Sequence, residues 1–87
     1  MHSYELRKSV EETFFKLAKK NPKQLEIIEK KIKEILENPE HYKNLRTPLQ
    51  HLKRVHIDKS YVLTYSIDHK RKTIIIEDYE HHDKIYK

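Results

Sequence analysis

The sequence predicts an α+β fold, with two antiparallel N-terminal helices packed on one face of a small, mostly antiparallel four-stranded sheet (β-α-α-β-β-β). Three observations lead to this prediction. Apolar residues recur at helical spacing between residues 10 and 36, and from residue 55 the apolar period changes to two. Short polar links between the later strands favour an antiparallel meander. The helices are therefore expected to cover one face of the sheet and to leave the other open.

Local signals predict the first strand and the two helices. A short alternating stretch at residues 4–7 predicts a strand, and Ser9 with Glu12 has the spacing of a capping box. Asn21-Pro22 predicts the start of the second helix, and Asn38-Pro39 predicts its end, because the residue before proline is disfavoured in the α region. The apolar stripes of the two helices are Val10, Phe14, Leu17, Ala18, and Leu25, Ile28, Ile32, Ile35, Leu36.

Three strands are predicted after an irregular segment, at residues 55–57, 61–67 and 73–79. Alternation divides the first two of these strands into two sides. The side expected to face the helices carries Val55, Ile57, Tyr61, Leu63, Tyr65 and Ile67. The side expected to be open carries Arg54, His56, Val62, Thr64 and Ser66.

The composition predicts a single basic domain spanning residues 1–87. Lysine and arginine number 19 against 14 acidic residues, for a formal charge of +5. This excess attracts polyanions, RNA above all, although lysine-rich solubility explains the charge equally well. The chain has no cysteine, no apolar run of membrane-spanning length and no signal peptide. We therefore expect a cytoplasmic protein without membrane association, disulfides or thiolate metal sites.

Several residues offer the chemistry that RNA binding or cleavage uses. Arg54 and His56 supply a cation and a proton carrier on the open face, and His81, His82 and Tyr86 follow near the end of the chain. Each has a simpler interpretation. The histidine pair also fits an exposed tail, Tyr86 fits a ring that pins the tail, and charges on an edge strand can serve to prevent aggregation.

Other site classes are not favoured by the sequence. Asp83 directly follows His81-His82, but adjacent residues rarely converge on one metal ion, so no metal or cofactor is expected. The sequence has no glycine-rich phosphate loop, no Gly-x-Ser-x-Gly motif and no cysteine nucleophile. P-loop nucleotide hydrolysis and serine or thiol chemistry are therefore not expected.

Three short stretches carry a resemblance to a known family: LKRVHI at 52–57, SYVLTY at 60–65 and HHDKIY at 81–86. With the order of elements, they resemble the RelE/ParE superfamily of toxins, and archaeal RelE-like toxins most of all. The resemblance implies the toxin of a type II toxin–antitoxin pair. It implies an mRNA interferase that enters the ribosomal A site, cuts mRNA without a metal ion to leave a 2′,3′-cyclic phosphate, and is neutralised by a cognate RelB-like antitoxin.

The resemblance also implies roles for individual residues. Arg54 and His56 match the family's basic strand, the pair His81-His82 its basic C-terminal pair, and Tyr86 its C-terminal tyrosine. Arg54 is assigned to phosphate and transition-state charge, His82 to the general acid, His56 or His81 to the base, and Tyr86 to substrate orientation. Acid and base labels are interchangeable for histidines with pKa values near neutrality. Lys53 and Lys59 are further candidate phosphate ligands.

One position departs from the family pattern. RelE members commonly have tyrosine-arginine in the third strand, whereas Tyr61 is followed here by Val62. Arg54, Lys53 or Lys59 would then replace the missing phosphate contact, or catalysis is weaker. Two alternatives follow: a ParE-like, non-catalytic inhibitor of DNA gyrase, or a plain basic nucleic-acid-binding domain.

Overall fold

The computed structural model describes residues 2–46 and 49–81 of the chain. The elements in chain order are β1 (Ser3–Leu6), α1 (Lys8–Lys20), α2 (Pro22–Glu37), β2 (Lys53–Ile57), β3 (Tyr61–Asp68) and β4 (Thr73–His81). The predicted α+β class and element order are confirmed. Neither helix in these ranges is long and apolar enough to cross a membrane.

The strands form one sheet in the order β1-β4-β3-β2. β2, β3 and β4 form the predicted antiparallel meander, and β1 pairs in parallel with β4. A parallel pair requires a long connection, which both helices and two strands provide here. The strand order also places β2, which carries Arg54 and His56, at one edge of the sheet.

Helix α1 begins without the predicted capping box. Its N-cap is Arg7, which is extended and makes no side-chain cap hydrogen bond, so Ser9 already lies inside the helix. The Arg7 amide donates to the Ile76 carbonyl at 3.1 Å, and the Arg7 carbonyl accepts from the Glu11 amide at 2.9 Å. The prediction at Ser9 is wrong because pairing with β4 carries the chain directly into the helix.

The predicted limits of α2 are confirmed. Asn21 Oδ1 accepts a hydrogen bond from the Gln24 amide at 3.2 Å, and Pro22 occupies the first turn. The helix ends at Glu37, two residues before Pro39. These signals succeed because the capping hydrogen bond and the proline restriction involve only neighbours in the sequence.

The helices and one face of the sheet enclose the core. Its buried members are Val10, Phe14, Ile28, Ile32, Ile35, Val55, Ile57, Leu63, Tyr65, Ile74, Ile76 and Tyr79. Two hydrogen bonds join elements across it. Gln24 Nε2 donates to the Tyr79 hydroxyl at 2.8 Å, and the Tyr65 hydroxyl donates to the Pro39 carbonyl at 2.6 Å. The second bond holds the segment after α2 against β3, and this segment leads into β2.

Candidate functional site on the open face of the sheet

The open face is the side of the sheet that points away from the helices. Arg54 and His56 lie on it, two residues apart on β2, and between them Val55 is 3% exposed and belongs to the core. Side chains two residues apart on a strand share a face. The structure therefore brings together the cation and the imidazole that the sequence placed on this side.

Strand β3 supplies the middle of this face. Arg54 is paired in register with Thr64, and His56 with Val62. Although neither residue lies on the helix-covered side, Val62 is 0% and Thr64 is 2% exposed. Val62, at the position where the resemblance implies an arginine, is thus a buried apolar residue directly beside His56.

Strand β4 adds carboxylates that the sequence analysis missed. Asp78 is paired with Thr64 and Glu80 with Val62, so both lie on the open face in line with Arg54 and His56. Strands that are separated by one neighbour lie about 10 Å apart, within the combined reach of such side chains. The signal was present in the alternation of Asp78, Tyr79 and Glu80. The open face is therefore cationic on β2 and acidic on β4.

A β-bulge explains why adjacent carboxylates share this face. The register shifts between Thr64 and Tyr65, because Thr64 pairs with Asp78 whereas Tyr65 pairs with Ile76. Glu77 is the extra residue, and its Oε2 accepts a hydrogen bond of 2.6 Å from the Ser66 hydroxyl. A bulge places two residues opposite one, which breaks strict alternation.

Ion pairs neutralise the end of the open face near β1. Arg7 donates to Glu77 through Nε at 2.8 Å and through Nη2 at 3.2 Å. The hydrogen bond from Arg7 is the main reason that the pKa of Glu77 lies below its ordinary value, while partial burial opposes the shift. Arg71 pairs in the same way with Glu5 and Asp68. Both arginines are therefore held by carboxylates of their own chain at this end of the open face.

The structure separates Lys53 from the predicted site. Its Nζ donates to the Tyr42 carbonyl and to Asn44 Oδ1, each at 3.0 Å, and the residue is 9% exposed. Its position one residue before Arg54 turns it to the other side of the strand. The ammonium group holds the segment before β2, on the side of the strand away from Arg54, and the phosphate role of Lys53 stays a prediction. Lys59 is exposed in the turn that follows β2, next to Asp58, whose φ is +58°.

His81 also lies on the other side of the sheet. It pairs in register with Tyr61, and their ring centroids are 5.5 Å apart. Tyr61, predicted to face the helices, lies on that side but at its rim: it is 37% exposed and stacks on Tyr79 at 5.1 Å. A groove of about 360 Å³ passes these rings and the junction of α1 and α2. His81 therefore lies on the opposite side of the sheet from Arg54 and His56, and its role as a base stays a prediction.

The other two predicted C-terminal residues, His82 and Tyr86, lie outside the described residues, and their roles stay predictions. Within residues 2–46 and 49–81, no cluster of three or more histidine and carboxylate side chains could hold a metal ion.

A second cavity extends the site around the edge of β2. Its volume is about 480 Å³, and it is lined by Lys31, His41, Tyr42, Lys43, Arg54, Val55 and His56. Lys31 is also paired with Glu34 at 3.4 Å, on the exposed side of α2. The cavity joins Arg54 and His56 to two lysines and two aromatic rings, which suits a flexible anionic chain.

Comparisons with known proteins identify the family. The family model described as the ParE toxin of the type II toxin–antitoxin system parDE matches residues 4–86. An uncharacterized protein of Methanosarcina mazei is 58% identical over 86 residues, covering 99% of this chain and 100% of that protein. A Methanocaldococcus jannaschii protein named "Putative toxin RelE4" is 51% identical over 87 residues, covering 100% of this chain and 93% of that protein.

A solved structure shares the fold. The YoeB-YefM complex from Staphylococcus aureus contains a chain that superposes with a TM-score of 0.78 at 20% identity, over 94% of this chain and 98% of that one. At this identity the likeness shows the fold alone. The family match and the identity to the archaeal proteins carry the assignment. The chain therefore belongs to the ParE toxin family of type II toxin–antitoxin systems, within the RelE/ParE superfamily that its sequence motifs resemble.

Proposed function

We propose that this toxin is an endoribonuclease of the RelE type that cuts mRNA in the ribosomal A site. The observation that carries the proposal is the placement of Arg54 and His56 side by side on the helix-free face of the sheet. A single-stranded backbone can reach this face, and the cavity around β2 adds Lys31 and Lys43 beside it. The 51% identity to the protein named "Putative toxin RelE4" points in the same direction.

The proposed cleavage reaction assigns a step to several of the polar groups on the open face. The 2′-oxygen of the substrate attacks the adjacent phosphorus, its proton passes to His56, and the bond from phosphorus to the 5′-oxygen breaks. Arg54 neutralises the charge that develops on the non-bridging oxygens. Glu80 lies in register with His56 across Val62, and its carboxylate stabilises the imidazolium that forms. A general acid donates a proton to the departing 5′-oxygen, and His82 remains the candidate.

We further propose that a RelB-like antitoxin restrains the toxin. The family model describes toxins of toxin–antitoxin pairs, and the structural neighbour was solved as a complex of YoeB with YefM. A formal charge of +5 favours an acidic partner, because complementary charge speeds association. The cytoplasm, where ribosomes and antitoxin are both present, is the proposed location.

The experiment is mRNA cleavage on ribosomes programmed with a defined A-site codon. We expect Arg54→Ala and His56→Ala each to lower the cleavage rate by about a hundredfold, the contribution typical of charge stabilisation and proton transfer. Arg46→Ala and His69→Ala are matched controls, because both residues are exposed and lie outside the strands. These controls should cut like the parent. If both site variants also cut like the parent, the assigned site is wrong.

A second candidate function is inhibition of DNA gyrase without catalysis. The match to the ParE model favours it, and so does Val62, which is fully buried where RelE members commonly carry arginine. A gyrase supercoiling assay with the purified toxin separates the two candidates. Inhibition of supercoiling without any cleavage of ribosome-bound mRNA would support this candidate over the nuclease.

A further inference from the structure

Thr64 carries a buried hydroxyl group that lacks a partner. The residue is 2% exposed, and no described residue forms a hydrogen bond with its Oγ1. The large majority of buried side-chain polar atoms in native proteins have a hydrogen-bond partner, and leaving one unsatisfied costs stability. Thr73 provides the comparison: it is 5% exposed, and its hydroxyl donates to the Arg71 carbonyl at 3.1 Å and lies 3.3 Å from the Ser3 hydroxyl.

The position of Thr64 indicates a function for this unpaired hydroxyl. It lies on the open face between Arg54 and Asp78, which are its partners in register on the two flanking strands. The register shift of the bulge falls immediately after it. Bulges are enriched beside active sites, where they redirect side chains, and unsatisfied groups persist where function requires them.

We infer that the Thr64 hydroxyl binds a non-bridging phosphate oxygen of the substrate RNA; the inference rests on the proposed function and adds a residue to its site. The hydroxyl donates its proton to the anionic oxygen, while Arg54, paired with it in register, neutralises the charge. Asp78 on the other flank repels phosphate, so the phosphate lies on the β2 side of Thr64. Its carboxylate already accepts the Tyr79 amide at 2.9 Å. RNA gains access through side-chain rotations, which are common at interfaces.

The test compares Thr64→Val, which removes only the hydroxyl, with Thr64→Ser, which keeps it. We expect Thr64→Val to raise the Tm by several degrees, because an unsatisfied buried group is removed. The same variant should bind a 12-nucleotide 2′-O-methyl RNA, which cannot be cut, about tenfold more weakly in fluorescence anisotropy. Thr64→Ser should bind this RNA within about threefold of the parent. The matched control Thr73→Val should lower the Tm and leave RNA affinity unchanged, because that hydroxyl is already satisfied.

The outcomes separate this inference from the proposed function. If Thr64→Val binds RNA like the parent while Arg54→Ala binds it more weakly, the role of Thr64 is wrong and the nuclease proposal stands. If Thr64→Val does not raise the Tm, the hydroxyl is already satisfied, as by a bound water, and the inference is overturned. If the parent neither binds nor cuts RNA, the proposed function fails, and the phosphate role of Thr64 fails with it.

Discussion

The substitution Val62→Arg tests whether the proposed nuclease activity is limited by the absence of an arginine at this position. Val62 lies at the centre of the open face, in register with His56 on one side and Glu80 on the other. An arginine there would place a second guanidinium beside the proposed base and within reach of the phosphate. Glu80 would compensate part of the new charge, since an unpaired buried charge is costly.

The expected magnitudes follow from the burial of this position. Val62 is 0% exposed, so a longer side chain must displace its neighbours, and overpacking of this kind costs about 1–3 kcal/mol. For a domain of this size, that cost lowers the Tm by about 5–20 °C. A hydrogen bond to a charged group is worth about 1.5–3 kcal/mol, so a guanidinium that binds the transition state should raise the cleavage rate about tenfold or more.

The assay is single-turnover cleavage of mRNA in the ribosomal A site, with circular dichroism to verify the fold and to measure the Tm. Val62→Met is the matched control, because it adds a long uncharged side chain at the same position. It therefore distinguishes the effect of side-chain size from the effect of the positive charge. We expect Val62→Met to cut like the parent or more slowly. A folded Val62→Arg variant that cuts no faster than Val62→Met would refute the reasoning that the missing arginine limits catalysis.

Two further predictions concern the core and the charge. Tyr65→Phe removes the hydroxyl that donates to the buried Pro39 carbonyl at 2.6 Å. We therefore expect the free energy of unfolding, measured in urea, to fall by about 1–3 kcal/mol. An unchanged urea midpoint would show that this carbonyl finds another partner. Binding of single-stranded RNA should weaken with salt, with a log–log slope of about −0.7 for each phosphate contacted. An RNA affinity that stays the same between 50 and 200 mM salt, measured by fluorescence anisotropy, would show that the charge of +5 serves solubility and not RNA binding.

The sequence by itself determined the class of the fold and most of its elements. The cap at Asn21, the first-turn proline at Pro22 and the stop before Pro39 all appear where predicted. The change to a period of two correctly predicted the meander of β2, β3 and β4. These features depend on interactions between close neighbours in the chain, so the local sequence contains the necessary information. The three sequence motifs were also enough to identify the superfamily, and the comparisons confirm that identification.

The tertiary structure decided which side chains share the site. Pairing of β1 with β4 removed the need for the predicted cap at Ser9. Hydrogen bonds hold the Lys53 ammonium against the preceding segment, and pairing with Tyr61 placed His81 on the helix side.

The position of the carboxylates beside Arg54 and His56, and the unpaired Thr64 hydroxyl, likewise became evident only in the structure. Asp78 and Glu80 complete the open face because β4 lies beside β3, and the bulge after Thr64 adds Glu77 to the same side. Each of these placements depends on a partner far away in the sequence. A single bulged residue changes the face of every side chain beyond it, and alternation read along one strand cannot reveal that shift.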